Sequence, residues 1–579
     1  MNTTTLRTTL RKSIGRTAFA LIGGGLLCLL PGALQAQQTK AWRWGNSGAG
    51  ITVASSCSEP AIDQAENVYV IGRFKSDNEA LKFSNSTVTL SVFNPGITTI
   101  FIAKYDKNGN FKWAKSFKSG MADGAEIGVD NGGNIYCTGV YRDSIKIDNT
   151  TLNANSNLYT PFLAKFTTDG NLVWAKNLTT AANGHYIDYN ALEVSAQGRV
   201  FLGGSYNQSN LSFGNVSVAN SDGSGNSYDF FVVEFNGDGD AVWARSNGTP
   251  NHNDFPVALS LNTAGELYAG TSYLDTGVVM YGGQVKIYKY NNNGDVVWNA
   301  TGNSNNGVSL GDITNDNNGS LYIAGGYSGN AQFGNVTLNE DNGGSYVVKY
   351  DHLGNIAWIK TSRTSESDIS VFVTGIGVDQ SGNVSIGGSY VYSFLSPVSS
   401  ITFDSTTLTM QGNRDAFLAQ YNSSGKMLNA QNISGTLSEF SSGLNVAPNG
   451  NVYYSGSFYS PSVTLDSVTL INAPDGGNYY GKFFIAKYSE NQVNGIGDRN
   501  NDLALNLYPN PSNGIFTIEA STGIKAVKIT DQLGRQLYSR SFTHAVQQYQ
   551  ADISFLAKGQ YRVQVYTDKG YVVKVVTLN

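Results

Sequence analysis

The stretch that decides the fold is residues 101–115, which read FIAKYDKNGNFKWAK. Two runs of aromatic and alternating apolar residues flank the short polar segment from Asp106 to Asn110. Asp side chains accept backbone hydrogen bonds in tight turns, and Gly109 supplies the positive φ that such a turn needs. The stretch therefore predicts two antiparallel strands joined by a tight turn, and not a helix.

This pattern repeats along the chain, and a second pattern, first seen at residues 68–72 (VYVIG), repeats with it. Both occur seven times, at spacings of 54 to 71 residues. Repeats of this length with four strands each are typical of propeller blades. Copies of the first pattern begin at Phe101, Phe162, Phe231, Ile287, Val347, Phe417 and Phe484, and copies of the second surround Tyr69, Tyr136, Phe201, Tyr268, Tyr322, Ser385 and Tyr453.

The two ends of the repeat region indicate how the ring closes. The seventh repeat stops after Tyr488 without its Trp-containing strand, while an isolated strand of that type stands at residues 41–44 (AWRW). We predict that the N-terminal strand completes the last blade, which removes both free sheet edges. A linear solenoid is the alternative, but it leaves these complementary half-blades unexplained.

The motif DxxGNVY followed by FxAKYDxxGNxxW resembles the seven-bladed β-propeller repeats of secreted bacterial proteins, over about residues 41–490. The resemblance implies an all-β fold but no single activity. Two positions depart from the pattern, because Asn429 replaces a Trp and Ser385 replaces a Tyr. We expect these departures to loosen packing locally without changing the topology.

Loop length gives the best indication of a functional surface. Connections between the first and second strands, and between the third and fourth, are tight turns in nearly every repeat. The other connections are long, and alternating strand direction brings all of them to one face. We expect a partner to bind there, and an additional short strand to cap this face at Phe83, Phe213, Phe333 and Phe403.

The C-terminal residues form a separate module. Residues 491–502 are rich in Gly, Asn and Asp and indicate a linker between a propeller at 37–490 and a domain at 503–579. Strands predicted at 516–519, 526–530, 536–541, 559–566 and 571–576 suggest a small Ig-like β-sandwich.

Three motifs of this module, YPNP with a following Gly, DxxGR and LxxGxYxVxV, resemble the C-terminal sorting domain of type IX secretion cargo. The resemblance implies passage across the outer membrane by the type IX machinery, to the surface of a Gram-negative bacterium or beyond. The prolines fix extended backbone around the Asn between them, and these residues also begin the first strand. The motif residues are Tyr508, Pro509, Asn510, Pro511, Gly514, Gly534, Gly559 and Tyr561.

The N-terminus agrees with export. Residues 1–36 contain four basic residues, an apolar run of about 13 residues at 18–30 and a small-residue end, which is the layout of a secretory signal peptide. The run is short for a transmembrane helix, which needs about 20 residues, and no later segment is long enough. Cys57 and Cys137 then remain, and we expect two buried thiols instead of one disulfide.

Composition and charge exclude several partners. Only 14% of the 579 residues are charged, 66 are Gly and 12% are aromatic, which suits tightly turned strands. Residues 37–502 contain 26 basic and 39 acidic side chains, a net charge of −13, whereas residues 503–579 carry +4. An acidic body disfavours nucleic acid and anionic membranes. We expect a monomer that does not span a membrane.

The sequence shows little catalytic chemistry, and we predict no catalytic, cofactor-binding or metal-binding residue. The four histidines, His185, His252, His352 and His544, lack a metal-ligand spacing. Turns such as 106–110 and Asp238-Gly239-Asp240 faintly resemble calcium loops, but the repeated turns need the same residues without a metal.

Three functions remain open. The first is a surface or secreted binding protein that recognises a glycan or protein through the long-loop face, where Tyr273, Tyr281 and Tyr390 are candidate contacts. The second is a polysaccharide-acting enzyme with two loop carboxylates in a central pocket. The third is a structural matrix component. We favour the first.

Overall fold

The computed structural model describes residues 40–154, 159–178, 187–223, 227–274, 283–304, 306–338, 342–393, 398–474, 477–490, 505–531, 535–567 and 570–579. The predicted signal peptide and linker lie outside these residues. The described chain is all-β, and its sheets have the arrangement of propeller blades. Among the described residues, no helix has the length and apolarity needed to cross a membrane.

Seven four-stranded antiparallel units follow one another in the described chain, and we refer to them as blades 1 to 7. The first strands are Ala54–Cys57 with Ala61–Ile62, the second part of Phe111–Val129, Ile187–Val194, Asn253–Leu261, Val308–Asn315, Val371–Val378 and Glu439–Val446. The second strands are Val68–Lys75, Ile135–Ile147, Val200–Tyr206, Leu267–Leu274, Leu321–Tyr327, Val384–Val391 and Val452–Phe458. The third strands are Thr99–Tyr105, Thr160–Phe166, Asp229–Phe235, Gln284–Tyr290, Gly344–Tyr350, Arg414–Tyr421 and Lys482–Glu490. The fourth strands are the first part of Phe111–Val129, Leu172–Asn177, Ala241–Ser246, Val296–Ser304, Ile356–Thr364, Met427–Ile433 and Lys40–Ala49.

The N-terminal strand completes blade 7, as predicted. Lys40–Ala49 pairs antiparallel with Lys482–Glu490, from Lys40 opposite Glu490 to Ser47 opposite Phe484. Trp42 is 2% exposed and packs edge-on against Tyr488, with ring centroids 5.3 Å apart. Backbone hydrogen bonds and aromatic burial therefore join the two ends of the repeat region.

A polar network also spans the junction between blades 7 and 1. Glu66 occupies the turn position at which each of the other six blades has Gly, with φ of 58°. Its carboxylate accepts hydrogen bonds from Tyr453 Oη at 2.6 Å, Asn451 Nδ2 at 2.7 Å and Asn449 Nδ2 at 2.8 Å. Lys487 Nζ lies 3.2 Å away. Burial opposes ionisation, but these donors prevail and lower the pKa of Glu66 to about 2.

Neighbouring blades contact each other through one repeated device. The indole of each fourth-strand Trp lies against the turn Gly between the third and fourth strands of the next blade. A Cβ added at Gly239 would come within 2.7 Å of Trp174, and one at Gly109 within 2.6 Å of Trp44. Glycine is therefore needed for this approach as well as for its positive φ. The six pairs are Trp44–Gly109, Trp113–Gly170, Trp174–Gly239, Trp243–Gly294, Trp298–Gly354 and Trp358–Gly425.

Blade 6 lacks this Trp for a reason that the structure makes clear. Blade 7 has no turn between its third and fourth strands, because its fourth strand comes from the N-terminal end of the described chain. A Trp at position 429 would have no turn Gly to cover. Asn429 Nδ2 instead donates a 2.7 Å hydrogen bond to Tyr488 Oη, so that the expected loose packing is replaced by a specific polar contact.

The second departure is likewise compensated. In most blades a third-strand Lys lies over a second-strand Tyr, as Lys104 does over Tyr69 at 5.0 Å. In blade 6 both members change together, and Gln420 Nε2 donates a 2.8 Å hydrogen bond to Ser385 Oγ. Both side chains are buried and satisfied.

The predicted additional strands are present as hairpins, but they connect blades. In three cases the Phe before the hairpin turn pairs with the fourth strand of the preceding blade: Phe83 with Gly48, Phe333 with Gly302, and Phe403 with Ser362. In blade 2 the contact lies two residues earlier, where Ile145 pairs with Ser119. These four hairpins therefore link neighbouring sheets instead of capping the face, whereas the hairpins that begin at Asn210 and Ser462 form separate two-stranded sheets. Their strands are Leu81–Phe83 with Thr89–Leu90, the end of Ile135–Ile147 with Thr150–Asn153, Asn210–Phe213 with Val216–Ala219, Ala331–Phe333 with Val336–Leu338, Ser400–Phe403 with Thr406–Thr409, and Ser462–Leu465 with Val468–Ile471.

The C-terminal residues form a near-barrel β domain. Its strands, Leu505–Tyr508, Ile515–Thr530, Gln536–Asp552, Gly559–Thr567 and Gly570–Leu578, belong to one sheet. Two strands expected at 516–519 and 526–530 are one long strand with register shifts. Ser512 bridges in parallel to Leu578, which brings the ends of the sheet together. The domain has its own apolar core, centred on fully buried Ile518, Val527 and Val563.

The two cysteines within the described chain are free and buried, as predicted. Cys57 lies in blade 1 and Cys137 in blade 2. Burial raises the pKa of Cys57 to about 12, so its thiol is protonated at neutral pH.

We predict that the Trp358→Ala variant loses about 2–3 kcal/mol of unfolding free energy, because the indole leaves Gly425 uncovered and its Nε1 no longer donates to Ser423 O at 3.2 Å. Urea denaturation measures this loss. Leu353→Ala is the control, because Leu353 is 65% exposed on a turn; we expect a change within about 0.5 kcal/mol. Equal losses in the two variants would contradict the role of the indole.

A double-mutant cycle tests the replacement of Trp in blade 6. Asn429→Ala and Tyr488→Phe each remove one partner of the 2.7 Å hydrogen bond. We expect each to cost about 1 kcal/mol and the pair to show a coupling energy of about 0.5–1.5 kcal/mol. Additive effects in denaturant titrations would show that the bond does not stabilise the junction.

Candidate functional site

The two ends of the blades differ in their chemistry. At one end, the turns between first and second strands and between third and fourth strands share one internal hydrogen-bond pattern. In the turn at 106–110, Asp106 Oδ1 accepts from the backbone N–H groups of Asn108 and Asn110, each at 2.9 Å. At the other end lie the long connections between second and third strands and between successive blades, and we call this end the long-loop face.

A cleft of about 310 Å³ opens where blades 7 and 1 meet at the long-loop face. Blade 1 contributes Arg73 and Lys75, and blade 7 contributes Phe440 and Tyr459. Gly481 forms part of the wall, and a Cβ added there would come within 2.7 Å of the Tyr459 ring. We call this site the junction cleft.

Two aromatic side chains form one wall of the junction cleft. The rings of Phe440 and Tyr459 pack edge to face, with centroids 5.9 Å apart. Tyr459 is 40% exposed, whereas the preceding Phe458 is fully buried, because successive strand residues point to opposite sides. Phe440 is partly exposed. The wall therefore presents apolar ring surface to solvent beside polar groups.

An arginine extends this aromatic wall. The guanidinium carbon of Arg414 lies 4.5 Å from the ring centroid of Phe440 and 4.9 Å from that of Phe372. Phe372 and Phe440 occupy equivalent positions in the first strands of blades 6 and 7, seven residues before Asp379 and Ala447. Burial lowers the pKa of Arg414 from its usual value, which for a guanidinium leaves the charge in place at neutral pH.

The opposite wall of the junction cleft is basic. Arg73 Nε donates to Ser56 Oγ at 3.1 Å, and its guanidinium forms an ion pair with Asp123. Lys75 is exposed and occupies the position in blade 1 that Tyr459 occupies in blade 7. Among the described residues, neither Lys75 nor Arg414 forms an ion pair with a carboxylate.

The sequence pointed to other aromatic residues at this face. Tyr390 is fully buried in the blade core, so it cannot contact a partner. The side chains of Tyr273 and Tyr281 lie outside the described part of the structure. Phe440 and Tyr459 were not among the contacts predicted from the sequence. The adjacent aromatic residues Phe458 and Tyr459 at a strand end could have indicated an exposed ring, because successive residues point to opposite sides.

A second candidate site is the central channel. It has a volume of about 330 Å³ and is lined by the first strands of all seven blades. Among the described residues, four carboxylates face it, those of Glu59, Glu126, Glu193 and Asp312, and its lining contains no Lys or Arg. These are strand residues, not the loop carboxylates that the sequence suggested for an enzyme.

Burial raises the pKa of every channel carboxylate. The pKa of Glu126 rises to about 8, with the Asp312 charge as a second cause, and those of Glu193 and Asp312 rise to about 7. The pKa of Glu59 is raised well above its usual value by burial and by its carboxylate neighbours.

Two of the channel carboxylates connect first strands of different blades. Glu193 Oε1 in blade 3 accepts from the backbone N–H of Leu261 in blade 4 at 3.3 Å. Asp312 Oδ2 in blade 5 accepts from the N–H of Ile376 in blade 6 at 2.9 Å. First strands of neighbouring blades do not pair with each other in the described sheets, so these carboxylates satisfy N–H groups at the blade junctions.

The described residues contain no group of three or more His, Cys, Asp or Glu side chains placed to hold a metal ion. In the turn at Asp238 to Asp240, which faintly resembles a calcium loop in sequence, Asp240 Oδ1 lies 2.7 Å from Lys176 Nζ. His352 and His544 are exposed, and His185 lies outside the described residues.

The YPNP part of the predicted sorting motif lies beside the last strand of the C-terminal domain. Asn510 Nδ2 donates to Val575 O at 2.8 Å, and Asn510 Oδ1 accepts from Thr577 N at 2.9 Å. The flanking Tyr508–Pro509 and Asn510–Pro511 peptide bonds are cis. The side chain of Asn510 thus holds the motif against the last strand.

The other motif residues are structural in their contacts. Gly514 has φ of 105°, and a Cβ there would come within 2.3 Å of Ser554 Cα. Tyr561 is buried, and its Oη donates to Ala557 O at 2.6 Å. Gly559 begins the strand that contains Tyr561, and Tyr508 is exposed beside Glu519. Gly534 lies outside the described residues.

The chain is similar to several known proteins. An uncharacterized WD repeat-containing protein of Acanthamoeba polyphaga mimivirus is 25% identical over 421 residues, which cover 57% of this chain and 29% of that protein. The chain thus spans less than a third of that relative.

Similar solved structures include PorZ, a surface component of the type-IX secretion system of Porphyromonas gingivalis, at 13% identity and a TM-score of 0.23, covering 90% of this chain and 81% of that one. An ulvan lyase of polysaccharide lyase family PL25 has 13% identity and a TM-score of 0.34, covering 61% and 80% of the two chains. TM-scores this low do not establish a common function.

The C-terminal domain gives the firmest match. Residues 506–579 match the family model of the secretion system C-terminal sorting domain. The match covers the near-barrel domain from its first strand to the last residue. Residues 506–579 are therefore a type IX secretion sorting domain, which directs the chain to the surface of a Gram-negative bacterium or beyond it.

Proposed function

We propose that this chain is a secreted or cell-surface binding protein that recognises an extracellular glycan or protein through the junction cleft of its long-loop face. The observation that carries this proposal is the set of exposed aromatic and basic side chains around that cleft. Sites that bind organic ligands combine apolar and aromatic surface with a few directed polar groups. The junction cleft has this composition.

The opposite end of the blades is less suited to binding. Its turns use their Asp, Asn and Ser oxygens to accept hydrogen bonds from their own backbone. Their glycines lie beneath the indoles of the preceding blade. The long-loop face is where the repeats differ from one another, and variable loops on a rigid frame are the usual location of binding sites.

The proposal also includes the boundaries of the domains. We propose a closed seven-bladed propeller at 37–490, which agrees with the pairing of Lys40–Ala49 with Lys482–Glu490, a linker at 491–502 and a sorting domain at 503–579 whose strands form one near-barrel sheet and not the expected Ig-like sandwich. The junction cleft lies where the ends of the propeller meet, so closure would hold its two walls in place. We expect the protein to act as a monomer and its sorting domain to contact the type IX machinery.

The proposal also assigns a role to the sorting motif. Asn510 connects the motif to the last strand, and Gly514 allows the turn into the second strand. Tyr508 is exposed beside it. We infer that Tyr508, Pro509, Asn510, Pro511, Gly514, Gly534, Gly559 and Tyr561 together maintain the shape that the secretion machinery recognises.

The channel carboxylates support a second candidate, an enzyme acting on polysaccharide. A glycoside hydrolase needs one protonated and one ionised carboxylate, so one pKa must be raised while the other stays near or below its ordinary value. In the channel all four pKa values are raised, and two of the side chains accept hydrogen bonds from neighbouring blades. This pattern favours a structural role, and we prefer the binding protein.

Binding to the producing cells or to a glycan array tests the proposed function. We expect Tyr459→Ala to weaken binding at least about tenfold, because the ring is 40% exposed in the junction cleft. Leu353→Ala is the control, since it removes an even more exposed apolar side chain from a tight turn at the other end of the blades. Loss of binding in the control and not in Tyr459→Ala would overturn the assignment of the face.

The channel carboxylates predict a pH dependence of stability. Between about pH 4 and pH 8, Glu126 holds a proton in the folded chain and not in the unfolded one, so the unfolding free energy falls as pH rises through this window. Glu66 acts oppositely, since its pKa of about 2 removes stability as pH falls below about 4. We therefore expect maximal thermal stability near pH 4–5.

Glu126→Gln tests this dependence directly. The variant removes one buried titrating group, and we expect it to be more stable than the wild type at pH 8 by at least about 1 kcal/mol, with a flatter profile. Glu490→Gln, at an exposed position outside the channel, is the control. A wild-type melting temperature that rises from pH 5 to pH 8 would contradict the prediction.

A further inference from the structure

The junction cleft combines cations with aromatic rings in a region that is otherwise acidic. Arg73 and Lys75 line the cleft together with Phe440 and Tyr459, Arg414 packs over the Phe440 ring, and one carboxylate, that of Asp123, pairs with Arg73. Residues 37–502 carry a net charge of −13. A concentration of positive charge within an acidic body needs a chemical explanation.

We propose that the junction cleft binds an anionic polysaccharide, with carboxylate or sulfate groups on the sugar rings. This inference rests on the proposed function and specifies its ligand. The rings of Phe440 and Tyr459 would stack on the apolar faces of sugar rings, and the cations would pair with the acidic substituents.

The arrangement of Arg414 supports this ligand. Its planar guanidinium lies between the rings of Phe372 and Phe440, at 4.9 and 4.5 Å from their centroids. A guanidinium between two rings keeps its N–H edge available in one plane, which suits two parallel hydrogen bonds to a carboxylate or sulfate. Among the described residues no carboxylate pairs with it, so the charge is available to a ligand.

Positive charge lies on both sides of the aromatic pair. Arg414 contacts Phe440 on one side, and Arg73 and Lys75 line the cleft on the other. Arg73 is fixed by Ser56 and Asp123, while Lys75 is exposed. A run of cation, aromatic rings and cation matches a chain that carries a negative group on successive sugars better than it matches a single small anion.

An acidic peptide is a less suitable ligand. Peptides commonly bind by adding a strand to a free sheet edge. At this junction Lys40–Ala49 already pairs with Lys482–Glu490 on one side and with Leu81–Phe83 on the other. The strands that frame the cleft therefore offer side chains to a ligand, and a polyglutamate probe tests this alternative.

The experiment is calorimetric titration of the purified full chain with oligogalacturonide, oligoalginate and a sulfated galactan oligosaccharide. The matched neutral probe is oligogalacturonide with its carboxyl groups reduced. We expect at least one anionic probe to bind at least tenfold more tightly than the reduced chain, with a Kd that increases with salt. The sulfated probe distinguishes sulfate from carboxylate recognition.

Three variants locate the binding. We expect Lys75→Gln and Arg414→Gln each to raise Kd about tenfold, and Lys426→Gln, at an exposed tight-turn position, to leave it unchanged. Lys75 is exposed, so its variant is expected to fold even where replacing partly buried Arg414 disturbs the structure. Circular dichroism and melting temperature verify folding.

Several outcomes overturn the inference. These are binding of none of the three anionic probes, equal binding of the reduced probe, tighter binding of polyglutamate, and an unchanged Kd in Lys75→Gln. If anionic probes fail while Tyr459→Ala still abolishes attachment to cells, the proposed function holds and only the ligand assignment is wrong. If Tyr459→Ala attaches normally, the proposed function itself is wrong.

Discussion

The interaction on which the rest of the structure depends is the pairing of Lys40–Ala49 with Lys482–Glu490. Every blade buries its two faces against its neighbours, so an open series would expose apolar surface at both ends. Closure joins residues more than 430 positions apart and buries Trp42 between Tyr454 and Tyr488. Glu66 adds a polar contact that the Gly of the other six blades cannot make, which makes this junction chemically distinct.

Closure also explains one irregularity in the repeats, and a second is compensated locally. The Trp that covers a turn glycine is present in the fourth strand of every blade except blade 6, whose neighbour has no such turn. The Lys–Tyr pair is absent from the same blade, where Gln420 and Ser385 replace both members. Changes in one member of a contact are matched in the other, so the departures maintain the packing.

Much of this fold could be predicted from the sequence, because the tight turns and strand alternation are local and repeated. The orphan strand at 41–44 even indicated the closure, and the sorting motif indicated the C-terminal domain. The hairpins that connect blades and the contact of Arg414 with Phe372 and Phe440 could not be predicted. These contacts join side chains from different repeats at strand ends, where no periodic pattern specifies which residues meet.

The candidate site reflects the same contrast between contacts that repeat in the blades and residues that vary at the strand ends. Tight turns, Trp–Gly contacts and channel carboxylates hold the blades together, and the cleft with a binding composition lies at the junction that closes the ring. Amide hydrogen exchange of a chain lacking residues 40–49 tests the closure most directly. The account predicts that Lys482–Glu490 loses its protection while Gly344–Tyr350 in blade 5 retains most of its own. Unchanged protection of Lys482–Glu490 would contradict the central role of the N-terminal strand.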